Sequence, residues 1–180
     1  MWPEPFSRVF DEILTLDLGI SRPANQQMFE LLQQLYPIDV HEFPTGSQHN
    51  GWTIPKAWRA TTARIEHQGK LLFDGTKHLL AVADYSRPFS GTLAHEDRGR
   101  HIYCREECPS AFGFHNTFCY RPWQEDWAFC VPYEEYKTWP DGDLQIHLET
   151  EFTDSTMYVG EATHNGSSDE YILFNAHTCH

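Results

Sequence analysis

No stretch of this 180-residue sequence approaches the roughly 18 consecutive apolar residues of a membrane span. Its opening, MWPEPFSRVFDE, lacks the charged-then-apolar pattern of a secretory signal. Both absences point to a cytoplasmic chain with no membrane role. Basic residues are scarce: 13 Lys and Arg stand against 26 Asp and Glu, for a formal net charge of −13. A field of that sign repels phosphate backbones and anionic lipid, which argues against nucleic-acid and membrane-surface functions. Gly91, Gly99 and Gly113 are too scattered for a phosphate-cradling loop, and no G-x-S-x-G nucleophile elbow occurs. Acidic residues form no convincing catalytic pair. Glu134-Glu135, Glu149 to Glu151 and Asp169-Glu170 each read as solvated faces. Repeats and low-complexity tracts are missing as well.

Cysteine is present without a disulfide pattern. The five, at 104, 108, 119, 130 and 179, make an odd count without framework spacing, and in a reducing compartment they are thiols. Cys104-x3-Cys108-x6-His115-x3-Cys119 could close a tetrahedral zinc site, although it lacks the tight C-x2-C pairs of zinc fingers. The plainer alternative is a set of unmetallated loop residues.

What the chain has in quantity is aromatic surface: six Trp, twelve Phe and eight Tyr, 14% of all residues. A chain of this length can bury about 70% of its unfolded surface, so it is expected to pack rather than remain disordered. Phe6, Val9, Phe10, Ile13 and Leu14 line one helical face, and Gly19 is placed to end that helix. A second helix is expected over 24–35, between the break at Ser21-Arg22-Pro23 and Pro37. A strand at 38–43 follows, closed by Pro44-Thr45-Gly46.

From Ser47 the texture changes to short strands. They are expected at 63–67, 70–73, 78–83, 127–131 and 144–152, with Gln68-Gly69 as a two-residue hairpin turn. Residues 132–139 have room for one short helix. The span 87–122 shows little periodicity and reads as a long loop. Trp52, Trp58, Trp123, Trp127 and Trp139 could stack on sugar rings or form an aromatic core. Further strands are expected at 156–162 and 170–175. The second contains the apolar run Tyr171–Phe174, of the kind found where a strand is covered on both faces. Sheets of that kind place ligands outside the carboxyl ends of their strands, where His177, Cys179 and His180 stand.

These motifs carry a resemblance. The turn, the buried strand and Ala176-His177 resemble the first metal-binding strand of zinc aminopeptidases with two co-catalytic metals, where such a strand runs into H-x-D. In this chain the motif is H-x-C, a departure from that pattern. VHEFPTG (Val40–Gly46), W-T-I-P-K-A-W (Trp52–Trp58), W-A-F-C (Trp127–Cys130) and C-H (Cys179–His180) are similar, in order, to the bacterial aminopeptidase-like family. That family is often linked to polysaccharide biosynthesis, and its peptidase fold is interrupted by a β-rich domain of unknown function.

The resemblance implies an α+β fold in two parts. Residues 1–50 and 155–180 would form part of an aminopeptidase-like α/β domain, and 51–154 an inserted β-rich sandwich or barrel-like domain. It implies zinc as the cofactor, with His177 or His180 as a ligand; the strand alignment favours His177 and the C-H pair favours His180. Without the resemblance, the two histidines could be solvent-exposed polar residues. Cys179 is either a thiolate ligand or a buried thiol behind the site. The substrate implied for the complete protein is a peptide or aminoacyl compound. The remaining ligands and the general base would lie beyond residue 180. The chain alone is therefore expected to be inactive and to self-associate through uncovered sheet. A glycan- or peptide-binding β-rich module is the alternative.

Overall fold

The computed structural model describes residues 4–121 and 124–178. The chain is α+β and divides into two compact units, one formed by the chain before Trp58 and after Phe152, the other by Trp58–Phe152. Among the described residues, no helix is long and apolar enough to cross a membrane.

The first unit begins with α1 (Phe6–Ile13), whose fully buried residue is Val9 and whose outer face carries the Arg8–Glu12 ion pair at 3.0 Å. The helix stops at Ile13, well short of Gly19, because backbone N–H groups of Thr15 and Leu16 tighten the last turn onto Glu12 and Ile13. Helix α2 (Ala24–Leu32) starts directly after Pro23. It presents Met28 and Phe29 to a small core with Leu18, around which Ile13, Leu16, Leu32, Ile38, Val40 and Tyr158 pack.

Strand β1 (Asp39–Pro44) pairs antiparallel with the last strand, β10 (Thr156–Glu161), in register from Asp39↔Glu161 to Pro44↔Thr156. Gly160 occupies the place where the Phe29 ring and Ile38 Cγ2 crowd the strand, so a side chain there would have no room. Between these strands, β2 (Gln48–His49) and β3 (Trp52–Thr53) form a hairpin turned by Asn50 and Gly51. Both turn residues have positive φ, 51° and 82°, as a type I′ connection demands.

The strand expected at 170–175 is not formed. Residues 162–178 contain no helix or strand, and Tyr171, Ile172, Leu173 and Phe174 are 82–90% exposed. An apolar run becomes a buried strand only when neighbouring strands complete its hydrogen bonds and cover its faces. Among the described residues nothing pairs with it.

The second unit is built on a four-stranded sheet in the order β5-β4-β9-β6. These strands are β4 (Ala57–His67), β5 (Lys70–Asp74), β6 (Phe89–Leu93) and β9 (Leu144–Thr153). The β4–β5 turn is Gln68-Gly69, with φ of 50° and 77°, which matches the expected hairpin. Strand β9 buries Leu144, Ile146 and Leu148 on alternate positions. Its neighbour β4 contributes Ala63 and Ile65 to the same core.

Over that core lies a short parallel pair, β7 (Ile102–Tyr103) and β8 (Phe129–Cys130), with Val82 bridged antiparallel to Phe129. The described strands of this unit therefore make one open sheet with a two-stranded pair against its core residues, neither a closed barrel nor two full sheets. The segment 78–83, expected as a strand, is a turn after a 3-10 helix at Gly75–Lys77 and contributes only that single bridge. Among the described residues the unit also has three single-turn α-helices, α3 (Arg98–His101), α4 (Thr117–Tyr120) and α5 (Tyr133–Tyr136), and a 3-10 turn at His95–Asp97. Arg98 is buried and donates Nη2 hydrogen bonds to the carbonyls of Pro140 and Gly142. It thereby ties the turn before β9 to the helical segment after β6.

Candidate functional site

Three of the four segments that carry the family resemblance prove to be fold-forming; the fourth, Cys179–His180, lies outside the described residues. In VHEFPTG, the Thr45 hydroxyl lies 3.0 Å from the Ser155 carbonyl and accepts from the Ser155 N–H at 3.0 Å. Gly46, at φ 83°, donates its N–H to the Ile54 carbonyl at 2.9 Å. This stretch therefore locks the end of β1 to the start of β10 and to the hairpin. In W-T-I-P-K-A-W, Ile54 is buried and the Trp58 indole N–H donates to the Ser86 carbonyl at 2.9 Å. In W-A-F-C, Trp127 is sandwiched between Phe89 (centroids 4.5 Å) and His101 (4.0 Å), and Phe129 and Cys130 are buried. Burial pushes the Cys130 thiol up to about 12, so in this setting it stays protonated at neutral pH.

Of the proposed metal ligands, His177 is exposed in the segment that forms no strand, and His180 lies outside the described residues, as does Cys179. The expected rigid strand end behind His177 is therefore absent. Cys104, Cys108, His115 and Cys119 do not converge either. Among the described residues, no three His, Cys, Asp or Glu side chains are placed to hold one ion. Spacing alone left that zinc site open, and three-dimensional placement does not assemble it. His115 is instead half-buried against Tyr103 and Phe118, and burial lowers its pKa. Of the tryptophans, Trp58 and Trp127 belong to the core and are not open to a sugar ring, Trp52 is exposed in the first unit, and Trp123 lies outside the described residues.

The sequence pattern did not reveal a groove beside β5, one of the two edge strands of the sheet. Two adjoining cavities of ≈360 and ≈440 Å³ share Leu71, Leu72 and Glu135. One continues past Phe73, Asp74, Lys77, His78 and Phe112, the other past His67, Lys70, Thr138, Trp139 and Pro140. Successive strand side chains point to opposite faces, so a groove lined by Leu71 to Asp74 without a gap follows the strand's open edge. Leu72 is the extra residue of a β-bulge, since Phe73 faces Ile65 while Leu71 faces Glu66.

The groove walls are held by specific contacts. The His78 ring stacks on Phe112 at 3.8 Å and 5°, and its Nδ1 accepts from the Leu80 N–H at 3.1 Å. That bond leaves Nε2 as the ring's N–H donor. Asp74 accepts from the Thr76 N–H and hydroxyl, and the hydroxyl bond is the main cause of its lowered pKa. Glu135 differs: no ion-pair partner is found for it among the described residues, and burial raises its pKa. The only signal in the sequence was Glu134-Glu135, which read as a solvated face.

A family model described as "Domain of unknown function (DUF2172)" matches residues 57–151, just over half of the chain. A Clostridium acetobutylicum protein, described provisionally as a polysaccharide biosynthesis protein with aminopeptidase-like domain, is 20% identical over 173 residues. That alignment takes in 96% of this chain and 39% of the relative, so the chain spans well under half of that protein. A crystal structure of a provisionally described peptidase from Clostridium acetobutylicum superimposes with a TM-score of 0.67 at 18% identity. It covers 85% of this chain and 36% of the other, a likeness of fold. The matched span takes in β4 through most of β9, the sheet that carries the groove, and on that match the chain belongs to the DUF2172 family.

Proposed function

We propose that this chain is the N-terminal portion of a zinc-dependent aminopeptidase-like protein and has no peptidase turnover by itself. The observation that carries the reading is the coverage. Almost the whole chain aligns with a relative described by an aminopeptidase-like domain, yet it accounts for 39% of that relative's length. In the complete protein His177 or His180 would contribute an imidazole ligand, and the substrate would be a peptide or aminoacyl compound. The described residues do not by themselves fit a zinc site, because a catalytic zinc ordinarily takes three protein ligands and no such trio is assembled. No reaction step is therefore assigned to side chains of this chain. In this reading residues 1–50 and 155–180 are part of the peptidase-like domain and 51–154 is the insertion.

Two measurements test it. The chain alone, supplied with zinc and an aminoacyl-p-nitroanilide, should release no nitroaniline above background. Metal-dependent release would overturn the proposal. The bare Tyr171–Phe174 run should also make the isolated chain self-associate, seen as a concentration-dependent sedimentation coefficient that Ile172→Asp/Phe174→Asp abolishes. A monomer at all concentrations would contradict that part of the reading.

A further inference from the structure

We propose that the β5 groove binds an extended peptide segment carrying a cationic side chain, laid along the open edge of β5 with its positive charge against Glu135. The inference uses only residues of the Trp58–Phe152 unit and does not depend on the zinc-peptidase reading.

The class of ligand follows from the wall. Strand β5 is an end strand of its sheet and pairs on one side only, with β4. Its far side presents main-chain donors and acceptors, which an extended peptide satisfies in the manner of an added strand. The five residues of β5 correspond to about 17 Å of extended chain. The bulge at Leu72 interrupts the ladder, so recognition falls partly on side chains. Leu71, Leu72, Phe112 and Trp139 supply apolar lining on either side of the junction.

The sign of the charge follows from which ionic groups are already engaged. Asp74 is occupied by Thr76, with the Lys77 ammonium 3.9 Å away. The His67 ring lies 3.1 Å from the Asp143 carbonyl, and His78 is fixed by Phe112 and Leu80. Glu135 is the lining carboxylate for which no side-chain partner is found among the described residues, and it sits where the two cavities meet. A half-buried carboxylate gains most from an opposite charge that displaces water beside it. Lys70 and Lys77 are separate lining residues, each in only one cavity. A cation is therefore favoured at the shared position in particular.

The experiment uses the 180-residue chain and a fluorescein-labelled peptide, Thr-Val-Lys-Val-Thr blocked at both ends, with matched peptides carrying norleucine or glutamate in place of lysine. Anisotropy titration at low salt should show saturable binding of the lysine peptide and binding about 10-fold weaker for the glutamate peptide. Glu135→Gln should remove the preference for lysine over norleucine while the thermal midpoint and circular dichroism stay those of the parent chain. Amide shifts in nitrogen-15 spectra should cluster at Leu71–Asp74 and around Glu135. Absence of saturable binding would overturn the proposal. So would a lysine preference that survives Glu135→Gln, or amide shifts confined to residues outside the groove.

Discussion

Replacing Phe129 by alanine is expected to destabilise the Trp58–Phe152 unit by about 3–5 kcal/mol. The side chain is fully buried, and its ring makes edge contacts with Phe73 (6.3 Å) and Trp127 (6.2 Å). Its backbone lies between two neighbours, paired with Ile102 in β7 and bridged to Val82. Residues on either side add the Ala83 N–H to Ala128 carbonyl and Cys130 N–H to Ala81 carbonyl bonds, 3.0 and 2.9 Å. Gly75 approaches so closely that even a Cβ there would stand 3.3 Å from Phe129 Cε1. The removed ring thus leaves a cavity walled by several segments, whose hydrogen bonds resist collapse into the space. Denaturant titration followed by tryptophan emission reads this unit through the buried Trp58 and Trp127, once Trp52 of the first unit has been replaced by phenylalanine in parent and variant alike. A loss below about 1 kcal/mol would mean that the Phe129 site relaxes freely and is not the centre of the core.

The physical basis of that prediction also separates what the sequence disclosed from what it concealed. Periodicity exposed α1, α2 and β9 because each needs only its own residues to declare an apolar face: Val9, Met28 and Leu31, and the alternation Leu144, Ile146, Leu148. The Gln68-Gly69 turn was legible because left-handed backbone is a local demand. Strand β6 was hidden, since Ser90 and Gly91 have low strand preference and its place is set by pairing with β9. The run through 78–83 looked like a strand, yet Gly75–Lys77 winds it into a turn whose Ala81, Val82 and Ala83 are buried by tertiary contacts.

The tail and the groove were obscured for related reasons. Tyr171–Phe174 has the composition of an inner strand, and composition states what a segment needs rather than whether its neighbours exist. The β5 groove joins residues from Leu71, Phe112 and Glu135, far apart in the chain and with no shared motif. Side chains gathered by topology leave little trace in spacing. The same limit applies to the Cys104–Cys119 set, where metal-like intervals did not bring the donors together.

Gly160→Val is expected to destabilise the first unit by about 1–3 kcal/mol, even though valine is the better strand former. Gly160 faces Val40 in the β1–β10 ladder, and its φ is not in the left-handed region, so the glycine is not required by backbone conformation. Space requires it. The Phe29 ring of α2 lies over the strand where a Cβ would project, and Ile38 Cγ2 is 2.9 Å from the same point. Any side chain must push α2 off the two-stranded ladder. That displacement is costly because Leu18, Met28 and Phe29 are the buried residues of this small core. Paired strands without further partners hold little stability of their own. If overpacking is the cause, trimming the opposing ring should recover part of the loss. The double variant Gly160→Val/Phe29→Leu should therefore be more stable than the sum of the single effects by at least about 0.5 kcal/mol. Simple additivity would show that Phe29 and Gly160 are not in steric contact, and that the valine acts elsewhere in the unit.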